Sequence, residues 1–507
     1  MAEETQSTGV DFPEADGGRS TSAFGRAVVG DALDPLDPVG ARSARGETSW
    51  RSGYLLHFRR LVEAGIGRPE GAVASVRAGL DSVAGRMVWR GGGLDRLDRR
   101  GGLDRRQGRE PHGGETTLAA ALDQPAETPD TLTVEGSGEP ARELAIPYRG
   151  RLLAGSDLAA QLDRWEEDGV LEPSAAAAVR DVAVNPDWLS LRGRTVVALG
   201  AGSEIGPTPV LLDWGATVAG VDLPREQLWS RVVAQAAASA GRLLVPLHTP
   251  GGAPDTGRAG LDLLTDLPRV AAWVDALDGD DLVLGNYVYA DGGTNLRLSA
   301  ASDALATRLT ARRPDTVLAF MATPTDVFAV PPEAVAQSVR NYETRGRVAR
   351  GPGRMLRGMT GGRLLARAYL PGADPGICDS LVPQQGPNYA LGKRIHRWRA
   401  TAERAEGRRT SMNVAPPTRT RSVVKNKALA AAYAGAHRFG VEVFEPDTTR
   451  VLMAALLVHD LMTDPPRADE PWQAEARDAV HGGLWRAAFA PRSALGLAAV
   501  LGYGGLR

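Results

Sequence analysis

One tyrosine and one lysine stand four residues apart in the stretch Asn388-Tyr389-Ala390-Leu391-Gly392-Lys393. On a helix, positions i and i+4 share a face, so a phenol and an ammonium would lie side by side. The positive charge favours phenolate and draws the tyrosine pKa down. A phenol tuned in this way can give a proton to a carbonyl oxygen or take one from an alcohol. The chain holds nine tyrosines and only three lysines, Lys393, Lys425 and Lys427, so chance pairing is uncommon. The plain alternative is a surface pair on an amphipathic helix.

A second chemical feature lies nearly two hundred residues upstream. An apolar run, TVVALG, leads into Gly200-Ala201-Gly202-Ser203-Glu204-Ile205-Gly206, and a second apolar run ends at Asp222. Glycines let a backbone turn tightly and approach a pyrophosphate, and a following helix N-terminus supplies N–H donors. A carboxylate about 20 positions further on suits the hydroxyls of an adenosine ribose. Asp222 would also repel a 2′-phosphate, favouring NAD over NADP. Against this, Glu204 adds bulk and negative charge to the turn, and Pro207 and Pro209 remove two amide donors from the next helix.

The elements that must position these groups follow from periodicity. Short apolar runs at 195–200, 216–222, 242–247, 281–288, 315–322 and 409–415 alternate with helical stretches. Strand–helix alternation predicts βαβ units and a doubly wound parallel sheet, an α/β fold. The expected organisation is a disordered arm over 1–50, a helical segment over 51–90 and an Arg/Asp/Gly-rich linker over 91–128. A helical lead-in over 129–192, the α/β domain over 193–465 and a helical tail over 466–507 complete it. In the linker GGLDR occurs twice, at 92–96 and 101–105; interleaved aspartates and missing aromatics argue against an RNA-binding tract.

The glycine turn, the distant acid and the Tyr389/Lys393 pair, in this order, resemble the short-chain dehydrogenase/reductase family over roughly half the chain. That family's turn reads Gly-x-x-x-Gly-x-Gly. Gly200 and Gly206 match its outer glycines, and Glu204 replaces the middle one. The resemblance implies a Rossmann-like fold and an NAD-dependent interconversion of an alcohol and a carbonyl. It makes Tyr389 the acid/base and Lys393 its tuning group, with a hydroxyl from Thr323 or Thr325. Cofactor contacts are implied at Gly200, Gly202, Ser203, Ile205, Gly206 and Asp222, at Asp262 for the adenine, and at Asn286. Pro416 and Thr420 would close over the nicotinamide, in a segment where Pro417 replaces the family's glycine. Residues 327–387 have no counterpart in the family and form an insertion, a lid or an extra subdomain. The competing reading is a cofactor-deficient scaffold that binds another ligand or partner.

Composition narrows the classes. The chain has 507 residues with a net charge of −2, which speaks for neither nucleic acid nor an anionic membrane. Cys378 is the sole cysteine, so no intrachain disulfide can form, and it reads as a buried thiol. No metal site is expected. His459-Asp460 reads as a helix-end pair and His396 as a surface histidine. A small-molecule substrate, a cytoplasmic setting and an open question of homo-oligomerisation complete the expectation.

Overall fold

A computed structural model describes residues 8–15, 18–91, 114–249, 251, 255–279, 281–345 and 347–503. Both GGLDR repeats fall outside the described residues. The fold is α/β, built on a seven-stranded sheet. Its strands are β1 (Thr131–Glu135), β2 (Arg194–Leu199), β3 (Thr217–Val221), β4 (Arg242–Pro246), β5 (Asp281–Asn286), β6 (Val317–Ala322) and β7 (Thr410–Val414). They lie in the order β7-β6-β5-β2-β3-β4-β1. Six are parallel, and β1 pairs antiparallel with β4 at one edge. From β2 the sheet grows one way through β3 and β4, then the other way through β5, β6 and β7. The carboxyl ends of β2 and β5 therefore flank the point where the order reverses, which is where open α/β sheets bind ligands.

The strands read as continuous apolar runs because both faces are covered. In β2, Val197 and Leu199 face one cluster while Val196 and Ala198 face the other. The first face carries α9 (Leu267–Asp275), α10 (Gly292–Arg312) and α13 (Pro387–Ala405). The second carries α5 (Gly155–Glu167), α6 (Pro173–Val184), α7 (Thr208–Asp213), α8 (Glu226–Ala238) and α16 (Pro446–Met462).

The N-terminal arm is a correction. Residues expected to be disordered form α1 (Thr21–Leu33) and α2 (Pro38–Arg45), followed by α3 (Trp50–Glu63) and α4 (Pro69–Arg86). Phe24, Val28, Val29, Ala32 and Leu33 of α1 are buried in the first cluster, beside Leu391 and Trp398 of α13. The Pro/Asp residues that read as disorder are start signals: Ser20 caps α1, and Asp37 caps α2 with Pro38 in its first turn. Ser156 lies inside α5, whose N-cap is Ala154.

The insertion is a small layer of its own. Strands Val327–Val330 and Gly376–Asp379 pair antiparallel and enclose α11 (Pro332–Thr344) and α12 (Arg347–Met359). Phe328, Val335, Tyr369 and Cys378 pack there against Trp485 from the C-terminal segment. Burial pushes the Cys378 thiol up to about 11, so it stays protonated. The rest of the C-terminal region comprises α14 (Arg421–Lys425), α15 (Lys427–Gly435), α17 (Pro471–Ala476) and α18 (Pro491–Tyr503). Gly435 of α15 lies so close to Ala498 of α18 that an added Cβ would stand 2.0 Å from its carbonyl oxygen.

One buried ion cluster joins the insertion to the sheet. Asp326 accepts from Arg394 Nη2 and from Arg397 Nη1, both at 2.6 Å, and all three side chains are at least 96% buried. Arg397 also donates to the Val327 carbonyl at 2.9 Å, pairs with Glu475 of α17, and stacks over Phe328. Removing one partner of such a group leaves the others charged and dry. Asp326→Ala is expected to cost about 3–5 kcal/mol, read as a lower denaturant midpoint in equilibrium unfolding; an unchanged midpoint would mean the cluster is not structural.

Candidate functional site

The glycine turn sits at the carboxyl end of β2. Gly200 has φ +82°, and a Cβ there would lie 2.9 Å from the Tyr287 carbonyl carbon after β5. Only glycine allows that close approach of two strand exits. Within the turn, Ser203 N donates to Gly200 O at 2.9 Å and Gly206 N to Ser203 O at 3.3 Å. Ile205 packs sideways onto the second core cluster. The Asp222 carboxylate accepts from Gly202 N and Leu223 N, both at 2.8 Å. Burial raises its pKa, and those two amides counter the rise. Asp222 thus braces the turn, with lone pairs left on each oxygen.

Glu204 does not project into the turn. Its Oε2 accepts from Arg421 N at 3.0 Å, and Arg421 Nε lies 3.4 Å away. Arg450 of α16 donates to the Glu204 carbonyl at 2.6 Å. The side chain therefore links the first loop to the segment that follows β7. The helix after the turn, α7, has six residues, with Pro207 at its N-cap. The cavity behind it, lined in part by Pro207, Tyr287 and Asn413, holds about 10 Å³. That is roughly the space of one water molecule.

Tyr389 lies in the first turn of α13, a helix that runs into β7, so its start stands at the same sheet edge as the glycine turn. The Thr323 hydroxyl, at the exit of β6, lies near the Tyr389 phenol and acts to lower its pKa. Thr323 contacts Thr325 at 2.9 Å, and Gln385 donates to Thr325 at 2.5 Å. The 66 positions between Thr323 and Tyr389 are thus bridged in space, because the insertion leaves and returns through the paired strands. Tyr289, in the loop after β5, packs edge-on against Tyr389 with ring centroids 6.0 Å apart. Burial pushes the Tyr389 pKa upward, and the nearby Thr323 hydroxyl only partly opposes this.

Lys393 is half-buried one turn further along α13 and has neither a hydrogen bond nor an ion pair among the described residues. Burial lowers its pKa to about 8. His396, read as a surface residue, is a correction: it is 97% buried. Its Nε2 lies 3.1 Å from Asn286 Nδ2, and its ring stacks on Phe320. The helix is covered on nearly every side, so the surface reading fails. Burial, then the Lys393 charge, holds His396 neutral. Asn286 therefore faces the sheet's interior and is occupied by His396. Sequence reasoning also missed Asn295 of α10. It is buried, its Nδ2 has no partner, and it lies against Gly392, beside Lys393.

The remaining expected contacts are more peripheral. Asp262 is half-buried and closes its own turn by accepting from Leu264 N at 2.9 Å. Pro416 is buried, and its carbonyl accepts from Thr418 at 2.9 Å. Thr420 is the N-cap of α14 and contacts Ser422 at 2.9 Å. On the opposite face, Asp460 accepts from Ser411 at 2.6 Å and from Asn413 at 2.7 Å. His459, Asp460 and Asp478 place one potential ligand atom each within 4.8 Å of one another, an arrangement that the helix-end reading did not anticipate.

No protein-family model matches the sequence, and a search of curated proteins gives no match either. No described helix is long and apolar enough to cross a membrane.

With three lysines in the chain, amine labelling can follow Lys393 by peptide mapping. Its reactivity should titrate with a midpoint near pH 8, well below the ordinary lysine value of 10.5. A midpoint at the ordinary value would place the ammonium in free solvent.

Proposed function

We propose that the chain is a Rossmann-type oxidoreductase that interconverts an alcohol and a carbonyl with NAD. The observation that carries this reading is the placement of Thr323 beside Tyr389, one helical turn before Lys393, at the carboxyl end of the sheet that also holds the glycine turn. The residues present are compatible with a dinucleotide: the turn is close to β5, Asp222 stands at the ribose position, and Glu204 is turned toward Arg421. Gly200, Gly202, Ser203, Ile205 and Gly206 would hold the pyrophosphate side, and Lys393 the second ribose. When bound, the nicotinamide would supply or accept the hydride.

Tyr389 moves the proton at the substrate oxygen. Burial keeps the phenol protonated, so the resting protein presents an acid, and carbonyl reduction is the direction it favours. Thr323 orients the phenol from the β6 exit. Lys393, charged below about pH 8, stabilises the phenolate left after the proton has gone. Tyr289 lays an aromatic ring edge-on against Tyr389, which suits an apolar ketone or secondary alcohol as substrate.

A second reading, a Rossmann scaffold without cofactor, is favoured by α7. Six residues with Pro207 and Pro209 offer a pyrophosphate few amides. Calorimetric titration with NADH and NADPH separates the two: the enzyme reading expects NADH to bind, and silence at millimolar cofactor overturns it.

Given binding, Tyr389→Phe should lower turnover about 10²- to 10⁴-fold with cofactor affinity unchanged. Retained turnover would remove Tyr389 from the chemistry. Lys393 has its pKa lowered to about 8, so its charge is present below that pH and lost above it. The rate of carbonyl reduction should therefore decline as pH rises through 8. A rate flat to pH 10 would show that Lys393 has no electrostatic part.

A further inference from the structure

The insertion carries a charge that the rest of the chain does not. Between Arg340 and Arg367 the sequence has eight arginines and one acidic residue, Glu343, in a protein of net charge −2. Glu343 is already engaged by Arg367 at 2.8 Å. Much of this charge lies on α12, whose sequence is RVARGPGRMLRGM. In the sequence, arginines recur at 347, 350, 354 and 357, the spacing of one helical side. Met355 and Met359 share a side opposite Arg357.

Met355 and Met359 are not used by the fold. Met355 is 67% exposed and Met359 is 74% exposed, and Leu370, just after the helix, is 78% exposed. Core-facing helices bury that stripe; this one offers it to solvent. The helix also has poor intrinsic propensity, with Gly351, Pro352, Gly353 and Gly358 among its 13 residues. Such a helix gains order by lying on a surface that takes up its apolar side.

We propose that α12 docks the protein onto an anionic lipid surface, with Met355 and Met359 entering the acyl boundary and the arginines meeting headgroup phosphates. An apolar stripe opposite a row of arginines is the pattern of interfacial helices that lie in the plane of a bilayer. Local charge of this sign is drawn to anionic lipid, and salt screens that attraction. A nucleic acid would be met by the arginines but would leave the methionines in water, so it fits the surface less well. The proposal concerns peripheral docking and is independent of the dinucleotide reading.

The test is flotation of the full-length protein with phosphatidylglycerol vesicles and with phosphatidylcholine vesicles. Binding to the anionic vesicles should exceed binding to the neutral ones at least tenfold and weaken with salt. The double variant Met355→Asp/Met359→Asp should lose at least tenfold while its circular dichroism is unchanged, because both side chains are exposed. Arg350→Glu/Arg357→Glu should lose the preference for anionic lipid. No binding to phosphatidylglycerol would overturn the proposal. So would binding that survives the methionine change, or tighter binding to a single-stranded oligonucleotide with no methionine dependence. A methionine variant that converts a dimer to a monomer without vesicles would assign this face to a second copy and overturn the proposal as well.

Discussion

The contact between Asp326 and two arginines of α13 holds the rest together. Asp326 leaves β6 three residues after Thr323, so the ion cluster fixes where the hydroxyl stands relative to the helix that carries Tyr389 and Lys393. Burial alone would favour the protonated acid, but Arg394 and Arg397 win, and the carboxyl is held below its usual range. A buried ion pair of this kind adds little net stability over an apolar packing of equal volume, yet it tolerates only one register. Here it fixes four segments at once. Arg394 lies over Phe58 of α3, Arg397 reaches Glu475 of α17, and Ser380, on the strand returning from the insertion, donates to the Asp326 carbonyl at 2.8 Å. The N-terminal helices, the insertion and the C-terminal region all converge on the strand exit.

That convergence explains why a chain with so many additions keeps one sheet edge in order. The insertion enters at Val327 and returns at Asp379 as paired strands, so its length does not separate Thr325 from Gln385. Across the edge, Glu204 performs a similar service. As a side chain in the turn it would repel an anion; as an acceptor for Arg421 it draws the segment after β7 toward the loop after β2. The same residue is thus a liability in sequence and a clasp in space.

How much of this was legible depended on the range over which each signal acts. The strands were readable because each is a short apolar run between helical stretches, and the α/β class follows from that rhythm. Gly200 was readable because a tight turn leaves a local mark. The Asp326 cluster was not, since nothing near Asp326 reports arginines some 70 positions away. His396 was misread for a related reason. Helical spacing places it near Lys393, but its partners are Asn286 and Phe320 on distant strands, and the N-terminal helices close over another side of α13. Those helices were themselves hidden, because Pro35, Asp37 and Pro38 look like breaks and two of them in fact start α2. Thr323 was reachable only through family resemblance, and the long insertion gave no hint that the two ends meet.

The electrostatics of the site turn on which groups have been left without partners. Lys393 has no ion pair among the described residues, and partial burial lowers its pKa toward neutrality. A buried phenol pays in the opposite sense and clings to its proton. On the proposed reading, with Lys393 charged and Tyr389 neutral, the pair would gain when a proton leaves the phenol, because the ammonium would then have an anion one helical turn away. Had evolution of the fold placed a carboxylate within reach of Lys393, that gain would be spent in the resting state. Asp326, three residues after Thr323, gives one oxygen to Arg394 and the other to Arg397.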